Sequence, residues 1–337
     1  MEKFQYCVFI GRFQPFHSAH RAILTEAFRR GEKVVVVLGS HNKASNVKNP
    51  WTTDEREAMI RATLTEEESK SIVFVPVRDY LYNEVQWTVE IQQKIKEATR
   101  YSNDVAIIGH DSDRTSYYLK LFPQWELIDF VPDFKFHATE IRDLFFRQDE
   151  SYKKHIDPKT AEYLDQWKKD NDFDRLKGEF EYVVDYKEKW RGAPFPPTFN
   201  TVDSIVVKSG HVLVVRRKGN PGRGLIALPG GFLNQDERGK DGALRELKEE
   251  TGIKVNIGDL RDAISEEKVF DHPDRSLRGR TISYAFFINL KSGELPSVKG
   301  SDDADKAWWM PLSEFYTREK DFFEDHFHII NYFIRKY

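Results

Sequence analysis

The segment Gly192-Ala193-Pro194-Phe195-Pro196-Pro197-Thr198 constrains this sequence more than any other stretch. A proline has no backbone N–H and a fixed φ, so three of them within four residues end any helix arriving from upstream. The hydrophobic pattern also changes character there. Upstream, short apolar runs alternate with amphipathic helical stretches; downstream, strand-like runs are interrupted by one strong helical pattern. The chain therefore reads as a domain over 1–185, a linker over 186–200 and a second domain over 201–337. Its 337 residues suit two domains of ~100–200 residues each.

In the first region, 6–10, 34–38, 72–77 and 105–108 read as buried strands. Between them, 20–30 places Ile23, Leu24, Ala27 and Phe28 on one face, with Gly31 as the expected C-cap. Thr52 and Glu55 form a capping box before the next helix, and a third helix covers about 87–98. Strands separated by helices give an α/β fold with a parallel sheet, which binds ligands at the carboxyl ends of its strands. Residues 150–190 read as helices, over 159–168 and 173–189. In the second region 204–208, 212–216, 226–228, 281–288 and 307–310 read as strands of a mixed sheet. Helices are expected over 241–251 and 322–334.

Composition removes several function classes. Lys+Arg number 52 and Asp+Glu 55, a net charge of −3, so no basic excess drives binding to nucleic acid. Cys7 is the single cysteine, which excludes an intrachain disulfide and a cysteine-based zinc site. The apolar run 6–10 is too short for a secretory signal, and nothing approaches the ~18–20 residues of a membrane span. A soluble, cytoplasmic protein without membrane or nucleic-acid partners is expected; its oligomeric state stays open.

The first strand runs into Gly11-Arg12-Phe13-Gln14-Pro15-Phe16-His17-Ser18-Ala19-His20. Glycine permits a sharp turn, and two histidines three apart then open a helix whose unpaired N–H groups attract anions. This segment resembles the (H/T)-x-G-H nucleotidyltransferase superfamily, and within it the archaeal-type nicotinamide mononucleotide adenylyltransferases. Ala19 stands where the family has glycine. The resemblance implies a Rossmann-like parallel sheet with flanking helices and a site for ATP and nicotinamide mononucleotide. It implies His17, His20 and Arg142 as catalytic groups, and Gly11, Arg12 and Phe13 at the nucleotide. Phe136-His137-Ala138-Thr139-Glu140-Ile141-Arg142 matches the family's second signature in part, with Thr139 as the helix cap and Arg142 on the β- or γ-phosphate. Asn49-Pro50-Trp51-Thr52-Thr53-Asp54-Glu55-Arg56 resembles the mononucleotide side, implying Asn49, Trp51 and Arg56 as binding residues. Trp87 would stack on the nicotinamide ring. Gly39-Ser40 and Gly109-His110-Asp111 end two strands and would face the same crevice, adding Ser40, Gly109 and Asp111.

Residues 230–253 contain Gly231, Glu237, Arg245, Glu246, Leu247, Glu249, Glu250, Gly252 and Ile253 in the register G-x5-E-x7-R-E-U-x-E-E-x-G-U. This is similar to the Nudix box in full, which implies an α/β/α domain with a mixed sheet. On a helix, Glu246, Glu249 and Glu250 share one face, and Glu249 is also a candidate catalytic group. Their mutual repulsion is relieved by a hard divalent cation with oxygen ligands, Mg²⁺ or Mn²⁺. Arg245 and Glu237 are expected to tie loop to helix. Arg278 and Arg280, in a basic loop, are candidates for phosphate or ribose. The general base of this superfamily often lies outside the box, and Asp303, in Asp302-Asp303-Ala304-Asp305, is the expected one.

Both signatures in this order resemble the bifunctional proteins that join such an adenylyltransferase to an ADP-ribose-type Nudix hydrolase. The resemblance implies synthesis of NAD from ATP and nicotinamide mononucleotide, and cleavage of ADP-ribose to AMP and ribose 5-phosphate. The alternatives keep the folds and change the substrates: nicotinate mononucleotide or phosphopantetheine in the first site, NADH or a nucleoside triphosphate in the second. A third alternative is a Nudix-like sensor that binds ADP-ribose without cleaving it.

Overall fold

The computed structural model describes residues 3–110, 117–133, 137–170, 172–301 and 303–335. Asp111, Phe136 and Asp302, singled out above, lie outside them. The chain divides into two compact units, Met1–Lys177 and Gly178–Tyr337.

In the first unit the elements run β1 (Phe4–Gly11), α1 (Ser18–Arg30), β2 (Gly31–His41), α2 (Thr53–Ala62), α3 (Glu66–Lys70), β3 (Ile72–Arg78), α4 (Glu84–Ala98), β4 (Val105–Gly109), β5 (Glu126–Asp129), α5 (Ala138–Phe146) and α6 (Pro158–Asp170). The strands form a parallel sheet in the order β3-β2-β1-β4-β5. Val8 stands beside Val35 on one flank and Ile107 on the other, so the β-branched runs are buried on both faces. Ile91 and Ile95 of α4 close one face, and α1 packs on β1 and β2 across the other. The strand order reverses at β1, which puts a crevice at the carboxyl ends of β1, β2 and β4.

Two local expectations change. Gly31 is extended (φ −117°) and is already the first residue of β2, so α1 has no left-handed cap. α5 starts at Ala138 with His137 as its N-cap, so Thr139 lies inside the first turn.

Helix α7 (Phe173–Lys189) contains the boundary between the units. The second unit continues with β6 (Thr198–Lys208), β7 (His211–Arg217), β8 (Ile226–Ala227), β9 (Gly230–Phe232), α8 (Gly239–Thr251), α9 (Ile257–Asp262), β10 (Ile264–Phe270), β11 (Arg280–Asn289), β12 (Ala304–Pro311), α10 (Leu312–Phe315) and α11 (His326–Ile334). The mixed sheet runs β10-β11-β6-β7-β12, with β8 on β7 and β9 on β6. Leu244 and Leu247 of α8 pack on Val206, Leu213 and Ile288. Phe286 shares a cluster with Ala243 of α8, whereas the next residue, Phe287, stacks on Phe333 of α11 at 5.4 Å. That alternation makes the α/β/α layering. Helix α11 begins at His326 and not at 322, because Phe322 bridges to Ile226 and the Phe323 N–H donates to the Ile226 carbonyl.

Candidate active sites

In the first unit, β1 delivers the chain into a loop whose shape is set by an aromatic ring. A Cβ on Gly11 would lie 2.7 Å from the Phe13 ring, and Phe13 itself is left-handed (φ 50°) and buried. His17 caps α1 and His20 sits one turn on, their rings stacked at 3.6 Å. The His17 N–H donates to Nδ1 of His20, which leaves His20 Nε2 to carry the proton and donate. Burial, reinforced by the neighbouring His137 and the positive charge of Arg142, pushes His17 down to about 3. Burial and the neighbouring His17 hold His20 well below the ordinary histidine range. These are neutral donors at a helix N-terminus.

Arg142, on α5, donates to the Gln14 carbonyl and to Thr139 Oγ1. Thr139 therefore orients the arginine instead of capping the helix. Burial, followed by the like charge of Arg12, pushes Arg142 down to about 10. Arg12 and Arg142 thus converge on one electropositive spot beside the neutral His17. An anion relieves their repulsion.

The mononucleotide-side residues separate into different roles. Asn49 is buried, and among the described residues its Oδ1 has no hydrogen-bond partner. Trp51 is a core aromatic: its ring packs edge-on to Phe145 and Trp167, and its backbone pairs reciprocally with the Gln14 amide. Arg56 is fully buried and donates only to oxygens of this chain. Trp87 is half-buried on α4, edge-on to Tyr118. Ser40 is left-handed (φ 54°) and its hydroxyl donates to Asp79. Gly109 ends β4 against Leu119.

In the second unit, the Gly230–Gly231 strand β9 lies over the acidic face of α8. The Gly230 N–H donates to Glu250 Oε2 at 3.0 Å, and a Cβ on Gly231 would lie 2.5 Å from Glu246 Oε1. Only glycine lets that carboxylate come so close. Arg245 donates to both oxygens of Glu237, to Glu246 and to Glu249, which ties the loop to the helix. Burial raises Glu246 despite Arg245. Burial pushes Glu250 up to about 8, opposed by the Gly230 N–H and aided by the charge of Glu246. Glu246 and Glu250 are desolvated and repel each other, which suits oxygen ligands of a hard divalent cation. Arg245 holds Glu246 and Glu249, however, and among the described residues no three such groups are gathered into a ready metal cluster.

Asp303 lies exposed in the turn before β12, its carbonyl accepting from the Lys218 N–H. The Arg278 guanidinium sits 4.9 Å over the Phe232 ring. Arg280 is engaged by the Asp271 carbonyl. Sequence reasoning missed Arg217, at the end of β7. It stacks 4.0 Å over Phe323, donates to the Pro221 carbonyl, and feels the charges of Glu250 and Asp303. Its sequence signal, a basic pair closing an apolar strand, is indistinguishable from an exposed strand end.

Known proteins divide the chain at similar places. A cytidylyltransferase-like family model matches residues 8–155, and a NUDIX domain model matches 197–333. A bifunctional NMN adenylyltransferase/ADP ribose pyrophosphatase from Francisella tularensis, solved in complex with AMP and a Mn ion, superposes with a TM-score of 0.94. It is 36% identical, and the match covers 99% of each chain. The chain belongs to this bifunctional family. Its two halves also have separate relatives. The nicotinamide/nicotinic acid mononucleotide adenylyltransferase of Acinetobacter baylyi is 38% identical over 43% of this chain and 78% of its own. The ADP-ribose pyrophosphatase of Methanocaldococcus jannaschii is 38% identical over 33% of this chain and 61% of its own. Within the bifunctional family, then, the His17–His20 loop falls in the adenylyltransferase half and the Glu246–Glu250 helix in the pyrophosphatase half.

Proposed function

We propose that the first unit makes NAD from ATP and nicotinamide mononucleotide, and that the second hydrolyses ADP-ribose to AMP and ribose 5-phosphate. The observation that supports the reading is the opposite chemistry of the two units: Arg12 and Arg142 beside neutral imidazole donors in one, the carboxylates of Glu246 and Glu250 under a glycine strand in the other. The first suits a polyphosphate, the second a metal that meets a diphosphate.

In the transferase site a phosphate oxygen of the mononucleotide attacks the ATP α-phosphorus as the bond to pyrophosphate breaks. His17 and His20 donate to the phosphoryl oxygens, and Arg12 and Arg142 balance charge on the departing pyrophosphate. Asn49 and Trp87 receive the nicotinamide end. In the hydrolase site Glu246, Glu249 and Glu250 hold Mg²⁺, with Mn²⁺ as a substitute. The cation supplies Lewis-acid polarisation of the diphosphate. Arg217 and Arg278 face the substrate's negative charge, and Asp303 takes the proton of the attacking water. A cytoplasmic location fits these substrates, and among the described residues no helix is long and apolar enough to cross a membrane.

The testing experiment incubates the purified chain with ATP, each mononucleotide and ADP-ribose, and resolves the products by chromatography. Nicotinate mononucleotide is included because the A. baylyi relative is named for both. Absence of either NAD or AMP plus ribose 5-phosphate removes the corresponding half of the proposal.

Two further outcomes are expected. Trp87→Ala raises KM for the mononucleotide about 10-fold, and more than KM for ATP, since stacking on a cationic ring acts on ground-state binding. Equal effects on both substrates return Trp87 to a packing role. Because His17 and His20 are held neutral, the rate of NAD formation shows no imidazole inflection between about pH 6 and 8. Protonation, favoured only well below the ordinary range, appears as acid loss of activity. A pH–rate profile breaking near 6.5 contradicts the burial of this pair.

A further inference from the structure

Arg56 is a cation with no exposed surface, and every one of its N–H groups has an oxygen of this chain to meet. Nη1 donates to the Arg12 carbonyl at 2.7 Å and to the Gly39 carbonyl at 2.6 Å. Nη2 reaches the Ser40 carbonyl at 3.5 Å and Thr53 Oγ1 at 3.2 Å, and Nε donates to the Thr52 carbonyl at 3.2 Å. A guanidinium has five N–H donors, so no donor remains for a ligand. The five oxygens come from three segments far apart in sequence: the turn after β1, the end of β2 and the start of α2. Both of the first two carry a left-handed residue that is not glycine, Phe13 (φ 50°) after Arg12 and Ser40 (φ 54°) after Gly39. Such conformations persist only where the surroundings hold them.

We propose that Arg56 is a positioning residue for adenylyl transfer: it clamps the loop that leads to His17 and the loop at Ser40 in the spacing that a nucleotide requires, and touches neither substrate. The inference rests on the adenylyl-transfer reading of this unit. A planar fork is needed, because a lysine ammonium keeps the charge but presents three donors from one point and cannot span three carbonyls in two loops. The strained turns then relax, and donors that must act within a fraction of an ångström drift.

The test compares Arg56→Lys and Arg56→Ala with the wild type in the full chain, with ADP-ribose hydrolysis as the control for intact protein. In Arg56→Lys, kcat for NAD formation falls about 10²-fold while KM for ATP and for the mononucleotide change little, the signature of lost alignment. Guanidinium ion at tens of millimolar restores part of the rate in Arg56→Ala. Amide hydrogen exchange accelerates over 11–13 and 39–41 together. An unchanged kcat, a KM rise for one substrate alone, or unchanged exchange in both loops overturns the clamp. The exchange measurement stands apart from the chemistry: a wild-type chain that forms no dinucleotide defeats the adenylyl-transfer reading, whereas the loops report on Arg56 in either case.

Discussion

Glu250→Gln loses ADP-ribose hydrolysis by on the order of 10²–10³-fold and keeps NAD synthesis. The loss follows from charge. The amide has the same shape and helix propensity, but a neutral oxygen is a poor ligand for a hard cation, and the electrostatic stabilisation it supports is of that size. The fold survives for a reason visible in the structure: the Gly230 N–H donates to Glu250 Oε2, and a glutamine oxygen accepts the same bond. Burial already disfavours the ionised carboxylate, so removing the charge does not destabilise the metal-free helix. The measurements are hydrolase rate against Mg²⁺ concentration, a melting curve and the NAD assay. Near-normal hydrolysis at low Mg²⁺ by the stable variant shows that Glu250 is not a metal ligand.

His17→Ala gives the mirror image. NAD synthesis falls by roughly 10²–10³-fold, the effect of removing one preorganised donor, and ADP-ribose hydrolysis is unchanged. Two structural effects bear on this substitution. His17 stacks on His20, so its removal opens space beside the remaining ring. The hydrogen bond to His20 Nδ1 comes from the His17 backbone, however, and survives the change. The tautomer of His20 is therefore preserved, and the loss reports the missing imidazole. Joint loss of both activities in a folded protein would contradict independent sites.

Much of this was legible in the sequence because it was local. The run into Gly11 and the paired histidines needs only a strand, a turn and a helix start. The three carboxylates of α8 follow from helical spacing. What escaped depends on partners distant in sequence or on weak local signals. β5 has only Leu127 and Ile128 as apolar residues, and β10 places Glu266, Glu267 and Lys268 in a strand at the edge of its sheet. β9 is mostly glycine, which disfavours strands except where a neighbour demands close approach, here Glu246. His137 capping α5 lies outside the Ser, Thr, Asp and Asn vocabulary of helix starts, which is why the sequence offers Thr139 as the cap. Arg56 has the sequence look of a surface arginine on a charged helix. Its burial is explained only by carbonyls that arrive from β1 and β2. Trp51 likewise sits in a motif that suggests a ligand, yet Phe145 and Trp167, contributed about a hundred residues later, make it part of the interior.

Arg245 has a consequence for how the proposed metal site would be loaded. Its guanidinium pairs with Glu237, Glu246 and Glu249 at once, one positive charge set among three negative ones. Loading a divalent ion is then not the arrival of positive charge in a bare acidic pit, but an exchange of one cation's company for another's. On the proposed reading Glu246 and Glu249 would share themselves between Arg245 and the metal, whereas Glu250, which makes no bond to Arg245, answers to the Gly230 N–H and to the more distant charge of Arg217. On that reading the affinity of the site would be a contest refereed inside the protein, between a built-in cation and a mobile one for the same two carboxylates.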